Sequence, residues 1–242
     1  MRRLFSLLLI IVLGAGFKAG AQISCTVDTV RFGLIKESEG EKTVTVYVRN
    51  DSDSPLTLMR VRPTCGCTAA DYYKDMFAPG DSAWIKLTYD PHMRPGLFEK
   101  GVKVHPSLGE MIRIPITGVV VGTPESISNL FPSDGGLLHL TETTVMSTQP
   151  LRDFERALFI DVYNSNDRPV YTIVTDEYEA VETQLFPPVI PPYERGTIGI
   201  YIIPDKEPAK GKLEYTLNLH TSFSPADLLE TEPVVLKAYA EK

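Results

Sequence analysis

Positive charge is the scarcer sign in this chain: 24 lysines and arginines stand against 31 aspartates and glutamates, a formal net charge of −7. That balance leaves no overall basic footprint for nucleic acid or for an anionic lipid surface. Long apolar runs are also missing. The best, Leu4 to Leu13, is broken only by Ser6 and is about ten residues long, against the roughly 20 that a membrane span needs. Histidine occurs four times, and no two histidines have the i, i+4 helical spacing of a zinc protease. Cysteine occurs three times, so pairing within the chain leaves one thiol over. What the chain has in quantity is punctuation. Its 19 prolines and 17 glycines recur at short intervals, which suits many short strands rather than long helices.

The N-terminus predicts export. Arg2-Arg3 supplies a positive start, Leu4 to Leu13 an apolar centre, and Ala19-Gly20-Ala21 a small-x-small cleavage site before Gln22. Residues 1–21 are therefore expected to be a signal peptide, and the mature chain to have no transmembrane segment. A lipid anchor on Cys25 is disfavoured, because Gln22-Ile23-Ser24 lacks the aliphatic residue expected three positions upstream. The expected location is the periplasm or cell surface, an oxidising compartment.

Short alternating runs begin after Val27. Thr43 to Val48, Leu56 to Val61, Ala83 to Tyr89, Gly101 to His105 and Ile112 to Val121 read as strands. Between them lie Asn50-Asp51-Ser52-Asp53-Ser54-Pro55, Pro79-Gly80-Asp81 and Pro106-Ser107-Leu108-Gly109. Each favours a reversal, since Asx side chains bond their own backbone, proline presets φ and glycine permits positive φ. The second half repeats this plan. Ala157 to Val162 precedes Asn164-Ser165-Asn166-Asp167-Arg168-Pro169, and Val170 to Val174 follows it. Pro191-Pro192-Tyr193-Glu194-Arg195-Gly196 then replaces the Pro-Gly-Asp turn before Ile198 to Ile203 and Pro204. Lys210-Gly211-Lys212 leads into Leu213 to His220, and Pro233 to Ala240 closes the copy. The expected fold is all-β, two tandem Ig-like sandwiches over 26–121 and 124–242, with a boundary near Gly122-Thr123-Pro124.

Cys65-Gly66-Cys67 carries the most distinctive chemistry. If the pair lies on a strand, both sulfurs face one side and the Cα atoms stand roughly 6.6–7 Å apart, at or beyond disulfide reach. A ring through Gly66 then requires a tight bend. Alternatively, Cys25 joins Cys65 or Cys67, closing a loop of about 40 residues for at most roughly 3–4 kcal/mol. Cys65 is the weakly favoured partner there, because Gly66 lets the chain bend after it. A third chemistry is a soft-metal site, which needs further ligands such as His92, Met93 or His105.

Other patterns have plainer readings. Gly80-Asp81-Ser82 looks like a nucleophile signature but falls where a sandwich turn is required, with no base and orienting acid evident. Asp51 and Asp53 lack the glycine and glutamate of a calcium loop. Phe32, Tyr47, Trp84, Phe159 and Tyr215 fall at alternating strand positions and read as core.

The order Phe32-Gly33, Val44 to Asn50, Pro55-Leu56, Thr64 to Thr68, Pro79-Gly80-Asp81, Tyr89-Asp90-Pro91 and Arg94-Pro95-Gly96 resembles an exported bacterial Ig-like family. That family is catalogued as domain of unknown function 1573, and its hallmark is a Ser/Thr-Cys-Gly-Cys-Thr segment. The likeness covers about residues 30–121. Its relatives, the Hydin-like and major-sperm-protein-like modules, share the Asn-Ser/Asp-Pro and Pro-Gly-Asp/Glu turns. The resemblance implies a binding or scaffolding unit rather than an enzyme. We therefore expect a non-catalytic module for another envelope or cell-surface protein, with no cofactor, no catalytic residue and no nucleic-acid partner. The rival expectation is a redox-active or copper- or zinc-binding envelope protein built on Cys65 and Cys67, with His92 as a further weak ligand candidate.

Overall fold

The computed structural model describes residues 22–147, 156–203 and 211–241. The expected leader, with Pro204 and Lys210, lies outside these residues.

The first half contains β1 (Ile23–Cys25), β2 (Val30–Lys36), β3 (Lys42–Asn50), β4 (Leu58–Pro63), β5 (Thr68–Tyr72), β6 (Ser82–Tyr89), β7 (Gly96–Pro106) and β8 (Ile112–Val121). One sheet has the order β1-β3-β6-β5 and the other β2-β8-β7-β4. Alternation makes the sandwich. Val46 and Val48 of β3 and Ala83, Ile85 and Leu87 of β6 face inward from one sheet. Phe98, Val102 and Val104 of β7 and Ile114, Ile116 and Val120 of β8 meet them from the other, in one buried cluster. The pairing of β2 with β8 is parallel and shifts register between Arg31 and Gly33, where Gly33 takes φ +71°.

The helix α1 (Pro124–Leu130) follows directly, and the second half contains β9 (Ser133–Gly135), β10 (Leu138–Leu140), β11 (Thr144–Met146), β12 (Arg156–Tyr163), β13 (Val170–Thr175), β14 (Val181–Phe186), β15 (Val189–Ile190), β16 (Arg195–Ile202), β17 (Lys212–Ser222) and β18 (Val234–Glu241). Its sheets run β14-β16-β12-β10-β9 and β11-β18-β17-β13-β15 around a second buried cluster. With β9 and β15 set aside, the strand order of the first half recurs. β11 pairs parallel with β18 as β2 does with β8.

The recurrence reaches individual atoms. Asn50, the last residue of β3, and Asn164, the residue that follows β12, are both fully buried. Asn50 Nδ2 donates to the carbonyls of Ser54 (2.9 Å) and Phe77 (3.2 Å), while its Oδ1 accepts from the Ser52 N–H at 3.0 Å. Asn164 Nδ2 donates to the carbonyls of Arg168 (2.8 Å) and Ile190 (3.0 Å), while its Oδ1 accepts from the Asn166 N–H at 2.9 Å.

One expectation needs correction. Of the five aromatics read as core, only Phe32 and Tyr215 are buried. Tyr47 is 49% and Phe159 54% exposed, and Trp84 is half-buried. Tyr47 opposes Trp84 across β3 and β6, on the outward positions of strands whose inward positions are filled by valine, alanine and isoleucine. Gly122-Thr123-Pro124, the expected boundary between the copies, leads directly into the helix α1. Thr123 Oγ1 accepts the Ser126 N–H at 3.2 Å and Pro124 takes the first helical position.

Candidate functional site

β4 ends at Pro63, and the chain turns sharply before β5 starts at Thr68. Thr64 fixes the entry: its N–H donates to the Gly101 carbonyl (2.8 Å), and its Oγ1 accepts the Gly101 N–H (3.1 Å). The Cys67 carbonyl fixes the exit by accepting the Asp90 N–H at 2.9 Å. Between these anchors Cys65 and Cys67 form a disulfide, with Cα atoms 5.3 Å apart.

The tight bend that a ring through Gly66 requires is present, and the expected pairing of Cys25 with Cys65 or Cys67 is not formed. The residues form a turn instead of a strand, which shortens the Cα separation into the ordinary disulfide range of about 4.4–6.8 Å. Cys25 is free. It sits on β1 opposite Val48, whereas Thr68 starts β5 opposite Tyr89, which pairs with Lys42. β1 and β5 are opposite edges of one sheet, about 14 Å apart at ~4.8 Å per strand, and the two positions are offset by a further ~20 Å along the strands. A Cys25 staple cannot span that gap. Under non-reducing conditions, thiol counting on the protein is therefore expected to give one free thiol, alkylated at Cys25. Three free thiols, or a crosslinked peptide containing Cys25, would contradict the structure.

The disulfide lines one wall of a groove of about 590 Å³. Tyr89 and Phe98, stacked with centroids 3.8 Å apart and planes 8° apart, form its aromatic floor. Burial pushes the Tyr89 hydroxyl pKa up. Arg94 and Lys100 add positive charge, and Arg195 enters from the second sandwich. Arg195 Nε donates to the Pro95 carbonyl at 2.6 Å. Gly96, at φ +103°, makes this approach possible, because a Cβ there would lie 2.8 Å from Arg195 Cγ. The outer face of the Cys turn is open: a Cβ at Gly66 would meet nothing within 4 Å.

Behind the groove lies the tie that fixes the junction. Glu37 is buried, and its Oε1 accepts the Met93 N–H at 2.7 Å. Its Oε2 accepts the Thr123 N–H at 2.8 Å and the Ser126 hydroxyl at 2.6 Å. Burial pushes this carboxyl up, but the hydrogen bonds from Ser126, Thr123 and Met93 outweigh it and hold the pKa below the ordinary value. From the other side, the buried Tyr163 hydroxyl accepts the Gly122 N–H at 3.1 Å, and its ring stacks on Phe131.

Neither Glu37 nor Tyr163 was singled out from the sequence. Glu37 stands in the charged run Lys36-Glu37-Ser38-Glu39, which reads as solvated surface, and Arg195 stands in a turn. Thr123-Pro124, a helix N-cap followed by proline, was the one legible signal.

The remaining candidates are scattered. His92 Nδ1 is 3.9 Å from Glu37 Oε1 with its side chain 78% exposed. His105 lies on β7 opposite Arg60. His139 and His220 bond Ser165 and the Thr231 carbonyl in the second sandwich. Among the described residues no group of three or more His, Cys, Asp and Glu side chains could hold a metal ion. Ser82 is exposed at the start of β6 opposite Arg49. No helix of the described residues is long and apolar enough to cross a membrane.

Several solved structures are similar at low identity. A protein of unknown function from Porphyromonas gingivalis W83 is 15% identical, the likeness covering 92% of this chain and 100% of that one at a TM-score of 0.38. The Pseudomonas aeruginosa CupB2 chaperone is 13% identical over 83% of this chain and 100% of its own (TM-score 0.33). The E. coli chaperone DraB is 14% identical over 91% and 98% (TM-score 0.32). Comparison with curated proteins gives no match. Residues 23–120 match the family model described as Protein of unknown function (DUF1573), so the part of the chain similar to that family is the first sandwich, β1 to β8, with its Cys-Gly-Cys turn.

Proposed function

We propose that this protein is a non-catalytic binding or assembly module that grips a segment of another envelope or cell-surface protein in the junction groove. The observation that carries this reading is a groove of the first sandwich into which Arg195 of the second reaches, beside a junction held by a fully bonded buried carboxylate. Such a groove is preformed, so a partner loses little free energy to ordering it. Exposed Leu97 offers an apolar contact at the rim, while Arg94, Lys100 and Arg195 offer charge. Open sheet edges supply further main-chain contacts.

A photo-crosslinking residue at Leu97, expressed in the native envelope, tests it. One partner should be captured there, lost with Arg94→Glu plus Lys100→Glu, and missed by the same crosslinker at Tyr47. Capture at both positions alike, or survival of the product in the charge-reversed variant, would count against the groove.

A second reading is favoured by one specific observation: the Cys65–Cys67 disulfide lines a groove that carries Arg94, Lys100 and Arg195 against one acid, Glu99. Cations lower thiol pKa values and favour thiolate chemistry. In that reading a partner thiolate attacks Cys65 Sγ, the S–S bond breaks, and Cys67 leaves as the thiolate. An insulin-reduction assay with glutathione separates the two, since only the redox reading expects turnover that disappears in Cys65→Ser.

A further inference from the structure

The scarcity of positive charge in the whole chain hides its concentration on one face. On the outer surface of the β2-β8-β7-β4 sheet, Arg62 of β4 lies opposite Lys103 of β7, which lies opposite Arg113 of β8. Arg60, two residues before Arg62, faces the same way opposite His105. All four cations are exposed, and none has a salt bridge or side-chain hydrogen bond among the described residues. The Arg113 guanidinium lies across Gly101, where a Cβ would fall 2.6 Å from its Nε. Arg60, Arg62, Lys103, His105 and Met111 line a trough of about 490 Å³ that ends at Thr64.

Like charges directly opposite one another on a sheet destabilise it. Three in a row, without counter-ions of their own, in a chain of net charge −7, oppose both local stability and the average composition. We infer that this trough binds an acidic segment of a partner polypeptide. Its geometry fits that ligand. Arg60 and Arg62 repeat at about 6.8 Å along β4, the same repeat as alternate side chains of an extended peptide. Carboxylates at i and i+2 can therefore meet both guanidiniums, with Lys103 and Arg113 taking a third about one strand spacing further in. An extended anionic surface, such as a membrane or nucleic acid, fits less well. It would reach past the trough toward the remainder of a chain whose formal net charge is −7, which opposes an extended anion. The trough shares no lining residue with the junction groove, and the inference stands whether or not that groove is occupied.

Fluorescence anisotropy with a labelled peptide of alternating glutamate and threonine, against its glutamine counterpart, tests this on the purified protein. The glutamate peptide should bind at least about tenfold more tightly at low salt and weaken as salt rises. Arg62→Glu with Lys103→Glu should remove that preference. Lys42→Glu with Lys86→Glu changes the net charge equally on the opposite sheet and should leave it in place. Equal loss in both pairs would reduce the effect to overall charge and overturn the site. So would tighter binding to phosphatidylglycerol vesicles than to the peptide, or no difference between the two peptides. Unchanged melting of the Arg62/Lys103 variant would exclude misfolding as the cause of its loss.

Discussion

Replacing Glu37 by alanine is expected to weaken the junction by about 3–5 kcal/mol, because it leaves the Met93 N–H, the Thr123 N–H and the Ser126 hydroxyl without their acceptor in a buried place. Each sandwich keeps its own core, so the visible outcome in calorimetry should be one transition turning into two. A single transition close to the parent's would show that Glu37 does not couple the halves. The carboxylate also predicts a pH dependence. Its folded pKa is depressed, so its contribution is fully present above the unfolded carboxyl's pKa and is lost as pH falls through the folded value. The parent should therefore show the same two transitions in acid, below the ordinary carboxylate range. Glu37→Ala, having nothing to lose there, should lack that acid-induced change.

The second large effect belongs to the twin asparagines. Asn50→Ala and Asn164→Ala should each cost about 2–4 kcal/mol, since each removes a buried amide that satisfies carbonyls from two different loops. The two sites lie in separate cores, so the double variant should show the sum within about 0.5 kcal/mol. Asn→Asp is the sharper test. It keeps the shape and the acceptor for Ser52 or Asn166 but turns a second acceptor toward the carbonyls of Ser54 and Phe77, or of Arg168 and Ile190. Its cost should grow as pH rises and the carboxyl ionises. Denaturant melts at two pH values decide this, and an Asp variant as stable as the parent would remove the donor role.

Strands whose inward positions are small and aliphatic, such as β3, β6, β12 and β16, were legible because period two survives along their whole length. Of β2 only Phe32 was legible as a strand position, since the register shift at Gly33 breaks the alternation. The outward aromatics misled, because Tyr47 and Phe159 obey the period but take the solvent phase of it. The cysteine pairing depended on a fact no local pattern carries. Whether residues 64–67 run extended or turn is decided by Gly101 and Asp90, which hold the two ends of the segment from elsewhere in the fold. Glu37 was illegible for the same reason, as its three donors come from segments 56 to 89 residues away.

The passage from β8 to α1 contains only Gly122 and Thr123, and the N–H of each is already bonded across the junction. With no free linker, the second contact of any bivalent partner is governed by geometry instead of by chain statistics. A ligand whose two epitopes match the fixed spacing gains the full effective concentration, whereas one that is a few ångströms short gains none. Avidity on this protein should therefore be a sharp function of ligand length, without the gradual decline seen for modules on flexible tethers.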